Sequence, residues 1–159
     1  MKTGADGSGT VKELTFRRAQ EADGKVLLDL LQDLHRNDLP ATAADLKKAW
    51  KEILKNEGIR HYLAEANGVP VAACHLVVVP NLTRGAKPYG MIENVVTAKA
   101  WRRQGIGTRL LRHVLDEAWS LGCYKVMLMT GREDAHAFYE KAGFKAGVKT
   151  AFVARPEEK

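Results

Sequence analysis

The chain has 159 residues, 45% of them hydrophobic, and a formal net charge of +6. That length suits one domain with one real core. No uncharged apolar run approaches the ~18 residues that a membrane-crossing helix needs. No CxxC or HExxH spacing marks a metal site. The basic balance calls for a polyanionic partner, either nucleic acid or the phosphates of a smaller ligand.

Residues 1–9, MKTGADGSG, lack the apolar segment of a signal peptide and are expected as a flexible lead. A single domain is expected over 10–156, with the cytoplasm as its location. Cys74 and Cys123 are far apart, so buried free thiols are expected rather than a disulfide.

In chain order, residues 11–18 alternate and predict a strand, with Leu14 and Phe16 on one face. Residues 21–36 carry a helical stripe of Val26, Leu27, Leu30, Leu31 and Leu34. Thr42 to Asp45 forms a capping box that opens a second helix. Its stripe is Leu46, Ala49, Trp50, Ile53 and Leu54, and Gly58 ends it. Strands follow at 59–66 and 70–79, joined by Asn67-Gly68, a strong hairpin signal. The second is almost wholly apolar and so belongs in the middle of a sheet.

After a loop from Pro80 to Pro88, Met91–Thr97 predicts another strand, rich in β-branched residues. A basic, glycine-bearing turn comes next, Arg102-Arg103-Gln104-Gly105-Ile106-Gly107. A long helix then shows apolar residues at Ile106, Leu110, Val114, Ala118 and Leu121 and stops at Gly122. Residues 124–130 predict a strand, Asp134 to Ala142 a helix closed by Gly143, and 148–154 a last strand. The order β-α-α-β-β-β-α-β-α-β predicts an α/β chain. Its centre is a mixed sheet of about six strands, flanked by about four helices.

The strand-turn-helix at 91–121 carries the chemistry. The first N–H groups of a helix have no internal partner, and the helix dipole makes that end positive, so it suits phosphate. Glycines at 105 and 107 let a bulky anion near the backbone. Arg102 and Arg103 add full charges.

Arg102-x-x-Gly105-x-Gly107 after a strand resembles the pyrophosphate-binding motif of the GNAT superfamily of N-acetyltransferases. Ala137-Phe138-Tyr139-Glu140-Lys141-Ala142-Gly143-Phe144 resembles that family's late FYEKxGF segment. The resemblance implies acetyl-CoA as cosubstrate, no metal, and direct acetyl transfer to an amine, most simply that of a small molecule. It assigns the diphosphate to Arg102, Arg103, Gln104, Gly105, Ile106, Gly107 and Thr108. It assigns the pantetheine arm to the backbone of Val95, Val96 and Thr97, which a splay beside that strand would expose.

Glu93 is the candidate general base, since a carboxylate in an apolar strand is costly unless used or paired. The other reading is an outward glutamate in a salt bridge. Asn94 sits beside it on the substrate side, facing away from Glu93 unless a bulge intervenes. Ile92-Glu93-Asn94 resembles the Ile-Glu-Asp stretch of glucosamine-phosphate acetyltransferases, with Asn in place of Asp. Tyr139 matches the family tyrosine near the cofactor sulfur and is the candidate general acid, with packing on its helix as the alternative.

Arg132 stands where many members carry an asparagine that touches the cofactor. His136 is read as exposed or as lining the substrate pocket. His35, Asp38, Asn81 and Arg84 are candidates for the acceptor side. The resemblance allows a homodimer through late strands. Two rival functions remain open: a non-catalytic CoA-binding or interaction module of the same fold, and a small basic nucleic-acid binder. Most aromatics fall inside apolar patterns, which disfavours the second.

Overall fold

The computed structural model of the chain describes residues 10–34 and 39–156. The lead expected at 1–9 lies outside the described residues, as do His35 and Asp38. Strand β1 (Leu14–Arg18) pairs with β2 (Ile59–Ala66), β2 with β3 (Val69–Val79), and β3 with β4 (Tyr89–Thr97), all antiparallel. Strand β5 (Val126–Met127) joins β4 in parallel, so the sheet is mixed, in the order β1-β2-β3-β4-β5. Asn67 and Gly68 close the β2–β3 hairpin at φ 52° and 77°. A tight two-residue hairpin turn needs two such left-handed residues.

Among the described residues four α-helices flank the sheet: α1 (Gly24–Gln32), α2 (Ala43–Lys55), α3 (Ile106–Ser120) and α4 (His136–Ala142). The predicted apolar stripe of α3 is its buried face. Ile106, Leu110, Leu111, Val114 and Ala118 pack on Tyr62, Ala64, Cys74, Leu76 and Ile92. Burying each of the larger of these side chains is worth about 1.5–3 kcal/mol. On the opposite face, Leu27 and Leu30 of α1 pack on Leu63, Ala73 and Val96. Each face of the central strands is therefore covered, which is why β3 reads as nearly continuous apolar sequence.

Helix α2 starts as its capping box predicts, with the Asp45 N–H donating to Thr42 Oγ1 at 3.1 Å. Its stripe does not bury as expected: no residue of α2 is fully buried. Trp50 anchors it. The indole N–H donates to the Glu21 carbonyl at 2.9 Å, and the ring lies so close to Gly24 that a Cβ there would be 2.8 Å from it. The helix also ends at Lys55, with Asn56 as its cap and Gly58 beyond it.

Two expectations near the C-terminus change. The strand expected at 124–130 shortens to Val126–Met127. Residues 148–154 form no strand, and Val148, Phe152 and Val153 are 71%, 94% and 68% exposed. A two-residue β5 offers too little edge within the chain for a further strand to pair with. No helix among the described residues is long and apolar enough to cross a membrane.

Candidate active site

The site lies where β4 parts from β5. Their ladder consists of Gly90↔Val126 and Met91↔Met127, yet β4 runs on to Thr97. From Ile92 onward the β5-facing edge of β4 has no ladder partner in β5. The expected splay is therefore present, and its cause is the shortness of β5.

A β-bulge falls in the same stretch. His75 faces Glu93, but Ala73 faces Val96, so β4 holds one residue more than β3 between those pairs. Asn94 takes the strained position at φ 53°. Asparagine tolerates that left-handed backbone better than most residues, which is a conformational reason for Asn here. The bulge breaks simple alternation. Ile92 and Val95 pack toward the α3 core, while Val96 packs toward α1, on the side that carries Glu93. The bulge itself was not expected from the sequence. An asparagine amid β-branched residues was its one visible sign.

Beyond β4 the chain makes a 3-10 turn at Lys99–Trp101 and reaches the basic loop. The Arg102 Nε donates to the Thr97 carbonyl at 2.9 Å, tying the loop to the end of the strand. Arg103 and Gly105 are left-handed, at φ 61° and 75°. Arg102, Arg103, Gln104 and Gly105 are exposed. A Cβ on Gly105 would meet nothing within 4 Å, and no side chain caps the start of α3. The side chains of Ile106 and Thr108 are buried, so at those positions only backbone faces the loop. Gly107 is required for another reason: a Cβ there would come within 3.1 Å of the Phe138 ring and of Thr97 Oγ1.

Two ionisable side chains lie on opposite faces of the sheet. Glu93 is half-buried on the α1/α2 face, opposite His75 and, beyond it, His61. Tyr139 of α4 is half-buried among Phe138 and Phe144, with ring centroids 4.9 and 6.3 Å away. Burial pushes the Tyr139 hydroxyl above its ordinary pKa. Arg132 opposes that shift, while Cys74 and Glu93 add to it. Tyr139 is thus a group that keeps its proton.

Both cysteines are free and buried, and burial pushes the Cys74 thiol up to about 12 and raises that of Cys123. Neither is poised as a thiolate nucleophile. Arg132 is spent on an exposed ion pair with Asp134 at 2.6 Å, and His136 is exposed. Asn81 organises its own loop, donating to the Thr83 and Lys87 carbonyls, and Arg84 lies over the Tyr124 ring at 5.9 Å. Neither reaches toward the splay through these contacts. Among the described residues no group of three or more His, Cys, Asp or Glu could hold a metal ion.

An open strand edge leading to an uncapped, glycine-rich helix start is the frame of the candidate site in this mixed α/β fold. The model of the Acetyltransferase (GNAT) family matches residues 25–144, and the chain belongs to that family, one of N-acetyltransferases. It is 30% identical over 138 residues to the glucosamine 6-phosphate N-acetyltransferase of Trypanosoma brucei brucei, covering 86% of this chain and 92% of that protein. A structure from Agrobacterium tumefaciens described as an acetyltransferase is 42% identical, with a TM-score of 0.84, covering 89% of this chain and 99% of that one. An acetyltransferase from Clostridium acetobutylicum solved with acetyl-CoA shares the fold at 21% identity and a TM-score of 0.70, covering 89% of this chain and 96% of that one.

Proposed function

We propose that this protein transfers an acetyl group from acetyl-CoA directly to the primary amine of a small molecule. The observation that carries the reading is the unpaired edge of β4 from Ile92 to Thr97, running into the uncapped start of α3. The residues fit the ligand. Arg102, Arg103 and Gln104, with the backbone of Gly105, Ile106, Gly107 and Thr108, would hold its diphosphate. The backbone of Val95, Val96 and Thr97 would hold its pantetheine arm.

When bound, acetyl-CoA supplies an activated acyl thioester. The protein's part is proton management and charge stabilisation. An aliphatic amine titrates near ~10.4, so at neutral pH it must lose a proton before it can attack. Glu93 accepts that proton from the α1/α2 side. Tyr139, from the α3/α4 side, holds a proton at its hydroxyl for the departing sulfur. A backbone N–H at the bulge, at Val95 or Val96, stabilises the developing oxyanion, worth about 3 kcal/mol for one donor. Elevated thiols at Cys74 and Cys123 favour direct transfer over an acyl-enzyme.

The acceptor is taken as a small amine. The Trypanosoma relative makes glucosamine 6-phosphate the first compound to try, although Asn94 answers a conformational need in this chain. Residues 10–156 act as one acetyltransferase domain working in the cytoplasm. A homodimer through the exposed apolar tail at Val148, Phe152 and Val153 fits the short, open β5. Sedimentation at micromolar protein tests the dimer.

Calorimetry with acetyl-CoA at low salt, followed by thiol release across an amine panel, tests the enzymatic reading. Micromolar binding with turnover of at least one amine is expected. Binding with a flat thiol-release assay throughout would leave a CoA-binding module. No binding would remove the reading altogether.

A further inference from the structure

Glu93 ends a row of polar side chains that crosses three strands. His61 of β2 is the register partner of His75 of β3, and His75 is the register partner of Glu93 of β4. Directly opposed residues share a face, with Cβ atoms about 4.5–5.5 Å apart. The imidazoles meet edge-on, with centroids 4.7 Å apart and planes at 60°. Trp50 of α2 closes the far end, 5.6 Å from His61.

On this face Leu63, Ala73 and Val96 pack against α1, and the ionic groups Arg17 and Glu65 pair, together with Asp23. Polar groups placed there are costly unless paired or used. Pairing does not account for the two histidines. The Nδ1 of both rings is buried with no hydrogen-bond partner, while the Nε2 of neither ring is in that state. Each ring therefore keeps one idle nitrogen inside and a second that is paired or reaches the surface. The bulge at Asn94 belongs to the same arrangement, because the register shift keeps Glu93 opposite His75 while Val96 stays opposite Ala73.

Resting on the reading of Glu93 as base, we infer that His75, backed by His61, is a positioning residue that acts through Glu93, its register partner, and drains the proton that the carboxylate collects. The step is a proton transfer alone. The amine nitrogen loses H⁺ to the Glu93 carboxylate, and the carboxyl gives it to a bare imidazole nitrogen of His75. His75 returns to neutral by release through its second nitrogen or through His61 to solvent. No electron moves and no other bond changes.

Burial supports this by keeping the rings neutral. It drives the His61 pKa down to about 4, helped by the charges of His75 and Arg18, and it lowers that of His75. Lys25 and Asp29 of α1 pair in solvent. Asp33 stands at the C-cap of α1. Asp45, Lys47, Lys48, Lys51, Glu52 and Lys55 of α2 are exposed.

The first test needs no acceptor: histidine ring C–H resonances are followed by NMR against pH in the wild type, Glu93→Gln, His61→Phe and His75→Gln. Removing the carboxylate should lower the His75 midpoint by roughly half a pH unit or more, as loss of a nearby negative charge requires. An unmoved midpoint overturns the inference.

The second test is the pH profile of kcat/KM with acetyl-CoA and glucosamine 6-phosphate. His75→Gln should lose about tenfold at low pH, with the loss shrinking as the amine deprotonates unaided. A wild-type profile in His75→Gln beside an altered one in Glu93→Gln overturns the relay and leaves the base. An unaltered profile in Glu93→Gln removes the base reading itself.

Discussion

A Cβ placed on Gly107 would lie 3.1 Å from two carbons of the Phe138 ring. The helix that would hold phosphate and the helix that carries Tyr139 thus meet at a contact with no room for a methyl group. Gly107→Ala should overpack this contact and cost about 1–3 kcal/mol. For a chain of this size that is a fall in Tm of roughly 2–4 °C per kcal/mol. Thermal denaturation measures it, and an unchanged Tm would show that Phe138 can step aside.

The two arginines of the loop should separate. Arg103 is exposed and left-handed and makes no side-chain hydrogen bond among the described residues, whereas Arg102 holds the Thr97 carbonyl. Arg103→Glu should weaken acetyl-CoA binding by about tenfold at low ionic strength, and by less at molar salt, where screening is short-ranged. Arg102→Ala should weaken it with a smaller salt dependence, because it also frees the loop. Calorimetry at two salt concentrations checks both, and equal slopes would reject the distinction.

Tyr139→Phe keeps the ring that packs on Phe138 and Phe144 and deletes only the hydroxyl. If that hydroxyl protonates the departing sulfur, kcat should fall by about 10²-fold while the Kd for acetyl-CoA stays within about twofold. Steady-state kinetics and binding on the same preparation decide it. A parallel loss in both would mark Tyr139 as packing.

Acid should weaken the fold earlier than carboxylate titration alone would. His61 and His75 have folded pKa values below their ordinary value of 6.5, with His61 near 4. The unfolded chain then binds more protons, so their contribution is complete above about pH 6.5 and is lost as pH falls toward 4. Asp23, held below the usual carboxylate range by Arg17, acts only at lower pH. Urea midpoints should drop between pH 7 and 4.5, and drop less in His61→Phe. An identical drop in the variant would place the acid sensitivity elsewhere.

Trp50→Ala should release α2 without unfolding the sheet. Helix α2 buries no residue fully, and Trp50 supplies both its hydrogen bond to Glu21 and its contacts with Gly24 and His61. Amide exchange in α2 should rise toward that of local opening, while β2 and β3 remain protected. Protection retained in α2 would show that Leu46 and Ile53 suffice.

Much of the architecture was legible from local signals. The stripe of α3, the left-handed pair Asn67-Gly68, the Thr42 cap and the glycine stops at Gly122 and Gly143 each act over a few residues. Each stands where expected. The tail at 148–154 was misread because alternation describes what a strand would bury. Whether a neighbouring edge exists to pair with is a separate matter. The stripe of α2 failed similarly: amphipathicity sets which face would pack, and the depth of packing depends on what lies beneath.

The candidate site divides along the same line. Arg102 to Thr108 could be found by spacing, because helix-start chemistry is local. By itself the sequence determined the order of elements from β1 to α4, the buried face of α3, the glycine-bearing turn at a helix start and the identities of Glu93 and Tyr139 as groups worth watching. Only the tertiary structure decided that β5 stops short of β4's end, that a bulge at Asn94 sets which face Glu93 joins, and that His61 and His75 stand in line with it. Those are properties of register between strands distant in the chain, and a side-chain period of two along one strand carries no information about its neighbour's offset.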